Sequence, residues 1–233
     1  MREKLALVLL ICGCAKSEAS TTTTTTASPA ASMSTATAQQ SSAPPLIVGA
    51  AADPSQGSGV RPTTATAPKV YKKVLHTGDS MVGGGLARAL RPKVEAEGAK
   101  YVRDVWESGS LRDFSRSDRI PNLLAAHHPD LVILTLGAND VYEKEPEVLA
   151  PFIEKIAKLA TAKGTVDCVW VGPPFWKKEY ERMVDTFKKH VAPCQFFDSS
   201  GIEMERKKDG IHPDEKGGEQ WADALWKGLG RGG

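Results

Sequence analysis

A serine, an aspartate and a histidine in this sequence have the surroundings that a hydrolytic triad requires. Gly78-Asp79-Ser80 follows a strand-like run and precedes a helix-like stretch, so the Ser80 hydroxyl would lie beside the free N–H groups of a helix start. Far along the chain, Asp209-Gly210-Ile211-His212-Pro213 places a carboxylate shortly before an imidazole. Asp209 can fix the tautomer of His212, whose other ring nitrogen can take a proton from a serine. These residue types predict nucleophilic catalysis by Ser80 with His212 as the general base.

Two other segments could supply hydrogen-bond donors to a developing oxyanion. Leu136-Gly137-Ala138-Asn139-Asp140 ends the most apolar strand-like run, and the Asn139 amide would lie beside the end of the first strand. In Ser108-Gly109-Ser110, the glycine would let the backbone come close to a substrate. Each motif also has a purely structural interpretation, because Ser80 can cap a helix, His212 can lie on the surface before one, and Asn, Gly and Ser are ordinary turn residues.

The glycines around Ser80 also allow three other functions to be tested. Residues 78–83 have the glycine spacing of a phosphate-binding loop, but Gly84-Gly85 stands where that loop needs a lysine and a hydroxyl residue. A dinucleotide-binding fingerprint that starts at Gly83 fails, because Arg88 occupies its third glycine position. The nucleophile elbow of the α/β-hydrolases fails, because Val82 stands where it requires glycine. The glycines therefore indicate a tight turn or a place where backbone segments pack closely.

Strand-like and helix-like stretches alternate through the second part of the chain. This alternation predicts a parallel sheet that is covered by helices on both faces and binds ligands at the carboxyl ends of its strands. The run over residues 130–136 is almost continuously apolar, as in a strand buried on both faces. The expected strands are 70–77, 101–106, 130–136, 166–171 and 195–198, and the expected helices are 86–96, 119–127, 147–162, 178–190 and a last helix from 213 onward.

Four short motifs, in their order along the chain, resemble the four blocks of the SGNH hydrolases, also called GDSL-type hydrolases. They are Gly78-Asp79-Ser80, Gly109, Gly137-x-Asn139-Asp140 and Asp209-x-x-His212. The resemblance implies a flavodoxin-like three-layer α/β/α sandwich with a parallel sheet of about five strands. It implies that Ser80 is the nucleophile, that His212 is the general base and that Asp209 orients it. The implied oxyanion hole consists of the Ser80 N–H, the Gly109 N–H and the Asn139 side chain.

The sequence departs from the family pattern in two places. Met81 stands where leucine is more usual. The second block reads Glu107-Ser108-Gly109-Ser110-Leu111-Arg112 and lacks the fuller Gly and Asn pattern of many members. The assignment of Gly109 therefore depends on how this loop folds.

The first residues resemble a secretory signal that ends in a lipobox. Arg2 and Lys4 precede a short apolar run, and in Gly13-Cys14 a small residue precedes the cysteine that would be lipidated. The alternative is an ordinary signal peptide with incidental cysteines. We expect residues 1–14 to be the signal and lipobox, 15–68 a disordered tether rich in Ser, Thr, Ala and Pro, and 69–233 the SGNH hydrolase domain. The protein would then be lipid-anchored in the bacterial cell envelope, periplasmic or surface-facing.

The charge and composition of the chain limit the classes of partner that it could bind. The chain of 233 residues has a formal net charge of +2, which gives no reason to expect a nucleic acid. No Cys and His cluster has zinc spacing, so we expect no metal and no cofactor, and we expect a monomer.

Resemblance and export together suggest an acylated small molecule or glycan as substrate, from which acyl, especially acetyl, groups are removed. An O-acetyltransferase that uses the same serine and a non-catalytic glycan-binding scaffold remain open. Trp176, which follows the fourth strand, could stack on a sugar ring or merely cover the core.

The two cysteines of the domain, Cys168 and Cys194, are predicted to form a disulfide. Cys168 lies near the start of the fourth strand and Cys194 immediately precedes the fifth, and neighbouring parallel strands bring such starts together. The oxidising surroundings of exported proteins allow the bond, and two separate buried thiols are the alternative. The bridge would close a loop of about 25 residues at the amino ends of the strands, away from catalysis.

Cys14→Ser should release the protein from membranes and leave its ester-hydrolysing activity intact, because the tether separates the lipid from the domain. Membrane fractionation after a high-salt wash measures the release. Cys12→Ser is the matched control and should stay membrane-bound, since bulky Ile11 precedes that cysteine. A Cys14→Ser protein that still fractionates with membranes would show that the lipoprotein prediction is wrong.

Overall fold

The structure is a computed structural model that describes residues 69–231; Cys14, the predicted signal and tether, and residues 232–233 lie outside the described residues. A parallel five-stranded sheet runs through this domain. Its strands are β1 (Lys73–Gly78), β2 (Lys100–Arg103), β3 (Leu131–Thr135), β4 (Asp167–Val171) and β5 (Gln195–Phe197), in the order β2-β1-β3-β4-β5 across the sheet. The predicted parallel sheet is confirmed.

Helices cover both faces of the sheet. Those in residues 69–231 are α1 (Ser80–Gly83), α2 (Gly85–Ala96), α3 (Leu111–Arg116), α4 (Arg119–His127), α5 (Ala150–Ala160), α6 (Arg182–His190) and α7 (Glu215–Gly228). Helices α2 and α7 pack together on one face, and α3, α4 and α6 pack around α5 on the other. The domain therefore has the three layers of the predicted α/β/α sandwich. Among residues 69–231, no helix is both long and apolar enough to cross a bilayer.

Each face of the sheet has its own apolar core. Successive side chains of a strand point to opposite faces, so Val132 and Leu134 contribute to one core and Leu131 and Ile133 to the other. Every residue of β3 is buried, as expected for a central strand between two helical layers. Strand pairing fixes β3 between β1 and β4. The segments that follow β1 and β3 carry Ser80 and Asn139.

Several boundaries differ from those expected from the sequence. The strand expected from residue 70 begins at Lys73, and the one expected to reach 106 ends at Arg103. The helix expected over 147–162 is α5 with 3-10 turns at Pro146–Leu149 and Ala162–Gly164, and the one expected over 178–190 begins with a 3-10 turn at Lys178–Glu181. Apolar spacing does not separate the turns at Pro146–Leu149 and Lys178–Glu181 from α-helix, because each buries a large side chain, Leu149 or Tyr180, just before the helix that it precedes.

Two short helices, α1 and α3, are absent from the sequence-based expectation. Their ends are held by side chains: Asp79 accepts a hydrogen bond from the backbone N–H of Met81, and Ser110 and Asp113 form a capping box at the start of α3. Helices of this length have too few residues to show an apolar period. The signal that could have found them is the capping chemistry, which is clear in Ser110-x-x-Asp113.

The structure joins Cys168 and Cys194 in a disulfide with a Cα–Cα distance of 4.6 Å. Cys168 is the second residue of β4, and Cys194 immediately precedes β5, which pairs with β4. Both cysteines are buried in the core that lies under α5 and α6. The bridge therefore lies at the amino ends of the strands, at the edge of the sheet away from Ser80.

Two glycines determine how closely α2 and α7 approach each other. A Cβ atom added to Gly218 would lie 2.1 Å from the Cα atom of Gly85, and one added to Gly85 would lie 2.4 Å from the backbone oxygen of Asp214. No side chain fits in such a gap, because packed protein interiors leave no empty shell around a backbone. The glycines that follow Ser80 thus let the start of α7, and the His212 segment before it, lie directly against the start of α2.

Gly218→Ala should lower the free energy of unfolding by about 1–3 kcal/mol, because its methyl group has no room between the two backbones. Helix propensity alone predicts the opposite sign, since alanine is favoured over glycine in a helix by about 1 kcal/mol. Urea denaturation measures the change. Gly201→Ala is the matched control, because a Cβ atom there would meet nothing within 4 Å, and it should stay within about 0.5 kcal/mol of the parent. Equal stability of the two variants would contradict the close approach.

Candidate active site

The predicted catalytic residues meet at the carboxyl edge of the sheet. Ser80 is the first residue of α1, two residues beyond the end of β1. Asn139 lies in the 3-10 turn Ala138–Asp140 that follows β3. Gly109 lies in the loop between β2 and α3, and His212 lies in the segment that precedes α7. Four separate loops therefore contribute to one site, as expected for a parallel sheet with helical connections.

Ser80, His212 and Asp209 form a continuous chain of hydrogen bonds. The Oγ atom of Ser80 lies 2.9 Å from Nε2 of His212, and Nδ1 of His212 lies 2.8 Å from Oδ2 of Asp209. A carboxylate can only accept, so Nδ1 carries the proton and Nε2 is left to accept the hydrogen bond of the Ser80 hydroxyl. The arrangement places the basic nitrogen where it can remove the serine proton.

Asp209 is held in position by hydrogen bonds from the backbone of the segment that carries His212. Its Oδ1 atom accepts hydrogen bonds from the N–H groups of Ile211 at 2.8 Å and His212 at 3.0 Å. Gly210 makes this tight turn possible with φ at +67°. The Ile211 N–H and the His212 ring lower the pKa of Asp209 to about 2. The carboxylate is therefore charged at neutral pH.

A buried carboxylate, Asp79, connects the Ser80 turn to the Asn139 turn. Its Oδ1 atom accepts the Met81 N–H at 2.9 Å, and its Oδ2 atom accepts the N–H groups of Gly137 and Ala138, each at 3.0 Å. An aspartate in a turn ordinarily accepts hydrogen bonds from N–H groups close to it in the sequence. The structure adds the link to β3, which sequence spacing could not show because the partner amides lie 58 and 59 positions away.

A second buried carboxylate, Asp140, connects the Asn139 turn to α3. It accepts the Leu111 N–H at 2.9 Å, and burial raises its pKa to about 6. Asn139 itself donates from Nδ2 to the backbone oxygen of Gly109 at 3.1 Å. One of the two amide hydrogens of Asn139 is thus used to orient the side chain, and the other is available to a ligand.

The structure brings Gly109 beside Asn139 but directs its N–H elsewhere. The Gly109 N–H donates to the Trp106 backbone oxygen at 3.0 Å across a turn in which Ser108 has φ at +59°. A Cβ atom on Gly109 would lie 2.7 Å from the Phe114 ring, so packing alone requires glycine here. In this conformation the donors that match the predicted oxyanion hole are the Ser80 N–H, which has no intrahelical acceptor at a helix start, and Asn139 Nδ2.

Arg206 is a residue of the site that the sequence did not reveal. Its guanidinium donates to the backbone oxygens of Pro174 at 3.0 Å, Phe175 at 3.1 Å and Ile211. It therefore holds the loop after β4 against the segment that carries His212. An arginine that binds carbonyl groups has no motif, because its partners are backbone atoms of unrelated segments.

His76 lies outside the catalytic arrangement. It is fully buried in β1, with Nδ1 2.6 Å from the Tyr101 hydroxyl and Nε2 2.8 Å from the Thr135 hydroxyl. Burial lowers its pKa to about 3, so the ring is neutral. Among residues 69–231, no group of His, Cys, Asp and Glu side chains is arranged to hold a metal ion.

No known protein-family profile matches this chain. Protein BcsX of Komagataeibacter xylinus is 29% identical to it over 119 residues, which amount to 46% of this chain and 45% of BcsX. The chain therefore matches less than half of the length of this curated relative.

The fold is similar to the folds of solved esterases. The psychrotrophic esterase EstA of Pseudoalteromonas sp., in a structure inhibited by monoethylphosphonate, is 18% identical with a TM-score of 0.53, and the match covers 68% of this chain and 97% of EstA. A family 3 carbohydrate esterase of Clostridium thermocellum is 19% identical with a TM-score of 0.54, and the match covers 67% of this chain and 94% of the esterase. At these identities the similarity establishes a shared fold.

The buried position of Asp79 predicts a pH dependence of stability. Burial raises its pKa to about 6, against the opposing effect of its three N–H partners, whereas an aspartate in an unfolded chain titrates near about 3.9. The folded protein thus binds this proton more tightly. Its stabilising contribution is complete below about pH 4 and is lost as the pH rises through about 6.

Asp79→Asn removes this titration while Asp140 remains in both proteins. The stability of the parent minus that of Asp79→Asn should therefore fall by about 2 kcal/mol between about pH 4 and pH 7, as measured by urea denaturation. Asp113→Asn is the control: hydrogen bonds from Ser110 lower the pKa of Asp113, so the corresponding difference should not fall over this range. A constant difference for Asp79→Asn would mean that the carboxylate titrates as it does in the unfolded chain.

Proposed function

We propose that this protein is a serine ester hydrolase of the SGNH type. The observation that carries the proposal is the continuous chain from Ser80 Oγ through the His212 ring to the Asp209 carboxylate. The order of the four sequence motifs and the fold shared with solved esterases support it. A non-catalytic scaffold would have no need to keep such a triad assembled.

In the first half of the reaction, Ser80 Oγ attacks the carbonyl carbon of the ester and its proton passes to His212 Nε2. The negative charge that develops on the carbonyl oxygen faces the Ser80 N–H and Asn139 Nδ2, which are already oriented before the substrate arrives. Asp209 stabilises the imidazolium through Nδ1. The tetrahedral intermediate then expels the alcohol, which takes the proton from His212, and the acyl group remains on Ser80.

In the second half, water repeats these steps in the place of Ser80. His212 takes a proton from water, the resulting hydroxide attacks the acyl carbon, and the same donors hold the oxyanion. Collapse of this intermediate returns the proton to Ser80 and releases the carboxylic acid. The reaction therefore consumes one water molecule and needs no redox partner.

Hydrolysis is favoured over transfer by the exposure of the triad. The side chains of His212 and Asp209 are 28% and 43% exposed, so water reaches the general base without a lid having to open. An O-acetyltransferase must exclude water and bind an acceptor hydroxyl at the same position. Transfer to a sugar hydroxyl is the second candidate, and it uses the same acyl-serine.

Acyl groups on envelope or extracellular glycans, acetyl groups above all, are the substrates that we propose. The signal-like start and the Gly13-Cys14 pair support an exported, lipid-anchored protein. A disulfide in the domain is compatible with an oxidising compartment. The similarity in fold to a carbohydrate esterase is compatible with a glycan ester.

Ser80→Ala and His212→Ala should each abolish hydrolysis of p-nitrophenyl acetate, and the double variant should lose little more, because the two residues act as a unit. Asn139→Ala should lower kcat by about a hundredfold with little change in KM, since its donor acts on the transition state. Asp209→Asn should be less severe than His212→Ala, because the base itself remains.

Matched controls are Ser117→Ala, which removes the half-buried serine that follows α3, and His190→Ala, which removes a histidine that also pairs with carboxylates but lies far from Ser80. Both should retain the parent's rate. A fluorophosphonate probe should label the parent at Ser80 and fail on Ser80→Ala. Retained activity in Ser80→Ala, or labelling at another serine, would contradict the proposed mechanism. Movement of acetyl to an added sugar, in place of acetate release, would establish the transferase.

A further inference from the structure

A row of three aromatic rings lies along the catalytic edge of the sheet. Tyr142, in the segment after Asn139, and Trp176, in the loop after β4, both contact the buried ring of Tyr180. The ring centroids of Tyr142 and Tyr180 are 5.5 Å apart with an angle of 72°, and those of Trp176 and Tyr180 are 5.2 Å apart with an angle of 69°. The two outer rings thus stand edge-on to one central support, an arrangement that aromatic pairs favour.

The exposure of Tyr142 is unusual for this domain. Tyr142 is 63% exposed, and in the described part of the chain the other exposed large apolar residues are Val70 and Val148. Trp176 is half-buried. We call Tyr142, Tyr180 and Trp176 the aromatic shelf.

Two arginines make the shelf rigid. Arg182 donates to the backbone oxygens on either side of Tyr142, those of Val141 at 2.9 Å and Glu143 at 2.8 Å. Arg206 fixes the segment just before Trp176 through the Pro174 and Phe175 oxygens. The backbone that carries both outer rings is thus held by hydrogen bonds from arginine side chains. A ligand that packs on the rings would therefore cost the protein little conformational entropy.

Trp176 also lines a groove that follows the carboxyl ends of β4 and β5. This groove encloses about 440 Å³ and is lined by Trp176 and Phe175, by Ile202 and Met204, and by the polar residues Ser200 and Glu203. Arg206 forms part of its wall and also binds the segment that carries His212. Tyr142 lies three residues after Asn139, and Arg206 joins the segment before Trp176 to Ile211, the residue before His212. Shelf and groove therefore lie at the same edge of the sheet as the triad, where the part of a long substrate away from its ester could rest on the rings.

We propose that the aromatic shelf binds a neutral glycan chain that extends away from the acyl group to be removed. The proposal rests on the ester hydrolase function proposed above. Pyranose rings have apolar C–H faces that pack on aromatic rings and hydroxyl rims that bind water and polar side chains. The groove offers the same combination of apolar and polar groups.

The charges favour a neutral chain over an acidic one. The guanidinium groups of Arg182 and Arg206 are occupied by backbone carbonyls, so neither is free to bind a carboxylate or sulfate. The exposed segment between Trp176 and Tyr180 carries Lys177, Lys178 and Glu179, which are of both signs. A fatty acyl chain is also a poor match, because such a ligand has no groups for Ser200 and Glu203.

The kinetic test compares a long ester with a short one. Partially O-acetylated xylohexaose and cellohexaose extend far beyond the ester that Ser80 would attack, whereas p-nitrophenyl acetate has no such extension. For each protein, kcat/KM on the acetylated hexasaccharide is divided by kcat/KM on p-nitrophenyl acetate. Tyr142→Ala and Trp176→Ala should each lower this ratio about tenfold, because binding energy far from the ester is used in the transition state. Trp176→Phe should restore most of it.

Trp226→Ala is the matched control. Trp226 is also a half-buried tryptophan, but it lies in α7 near Tyr71 and Leu131, at the amino edge of the sheet. Its removal should leave the ratio as in the parent. If neither Tyr142→Ala nor Trp176→Ala lowers the ratio for either hexasaccharide, or if the parent hydrolyses p-nitrophenyl acetate but neither acetylated hexasaccharide, the shelf proposal is wrong while the hydrolase stands.

A binding test separates the shelf from the catalytic proposal. Calorimetric titration of Ser80→Ala with unacetylated xylohexaose and cellohexaose should show saturable binding to one of them, and that affinity should fall about tenfold in Ser80→Ala/Tyr142→Ala. Unchanged affinity, or no binding of either sugar, would overturn the shelf. Full esterase activity in Ser80→Ala would overturn the proposed function, and the titration would still decide whether the shelf binds a glycan.

Discussion

The carboxylate of Asp79 is the contact on which the catalytic edge depends. It caps the helix that begins with Ser80, and it binds the two amides that precede Asn139. Its side chain is fully buried, and a buried charge is expensive unless hydrogen bonds compensate it. Three N–H groups supply much of that compensation, and the raised pKa shows that burial still outweighs them. The Ser80 turn and the Asn139 turn therefore share one anchor, and neither can move without breaking hydrogen bonds to a desolvated group.

The other half of the site depends on close packing between helices. Ser80 and His212 are 132 positions apart in the sequence. They meet because Gly85 and Gly218 have no side chains, so the backbones of α2 and α7 can lie directly against each other. Hydrogen bonds thus position Ser80 and Asn139, and the close packing of the two helices positions His212. A site built in this way tolerates surface change but not the addition of atoms between the two helices.

Residues whose roles follow from local chemistry could be predicted from the sequence. Helix α4 coincides with the expected range, and Ser80, Asn139 and His212 lie at the ends of elements, as their motifs indicated. Contacts between distant segments could not be predicted. Asp79 reaches across the sheet, and Arg206 binds carbonyl groups 31 and 32 positions away. The direction of the Gly109 N–H depends on a single turn at Ser108, whose positive φ no residue pattern indicated.

The two ends of the described domain lie together, on the side away from the triad. Arg231 binds the backbone oxygen of Lys69, and the side chains of Lys69 and Tyr71 reach Asp167 at the start of β4, next to the disulfide. The domain thus has its two ends at the amino edge of the sheet and Ser80 at the carboxyl edge. Any group attached to Lys69 would therefore lie at the edge of the sheet opposite Ser80.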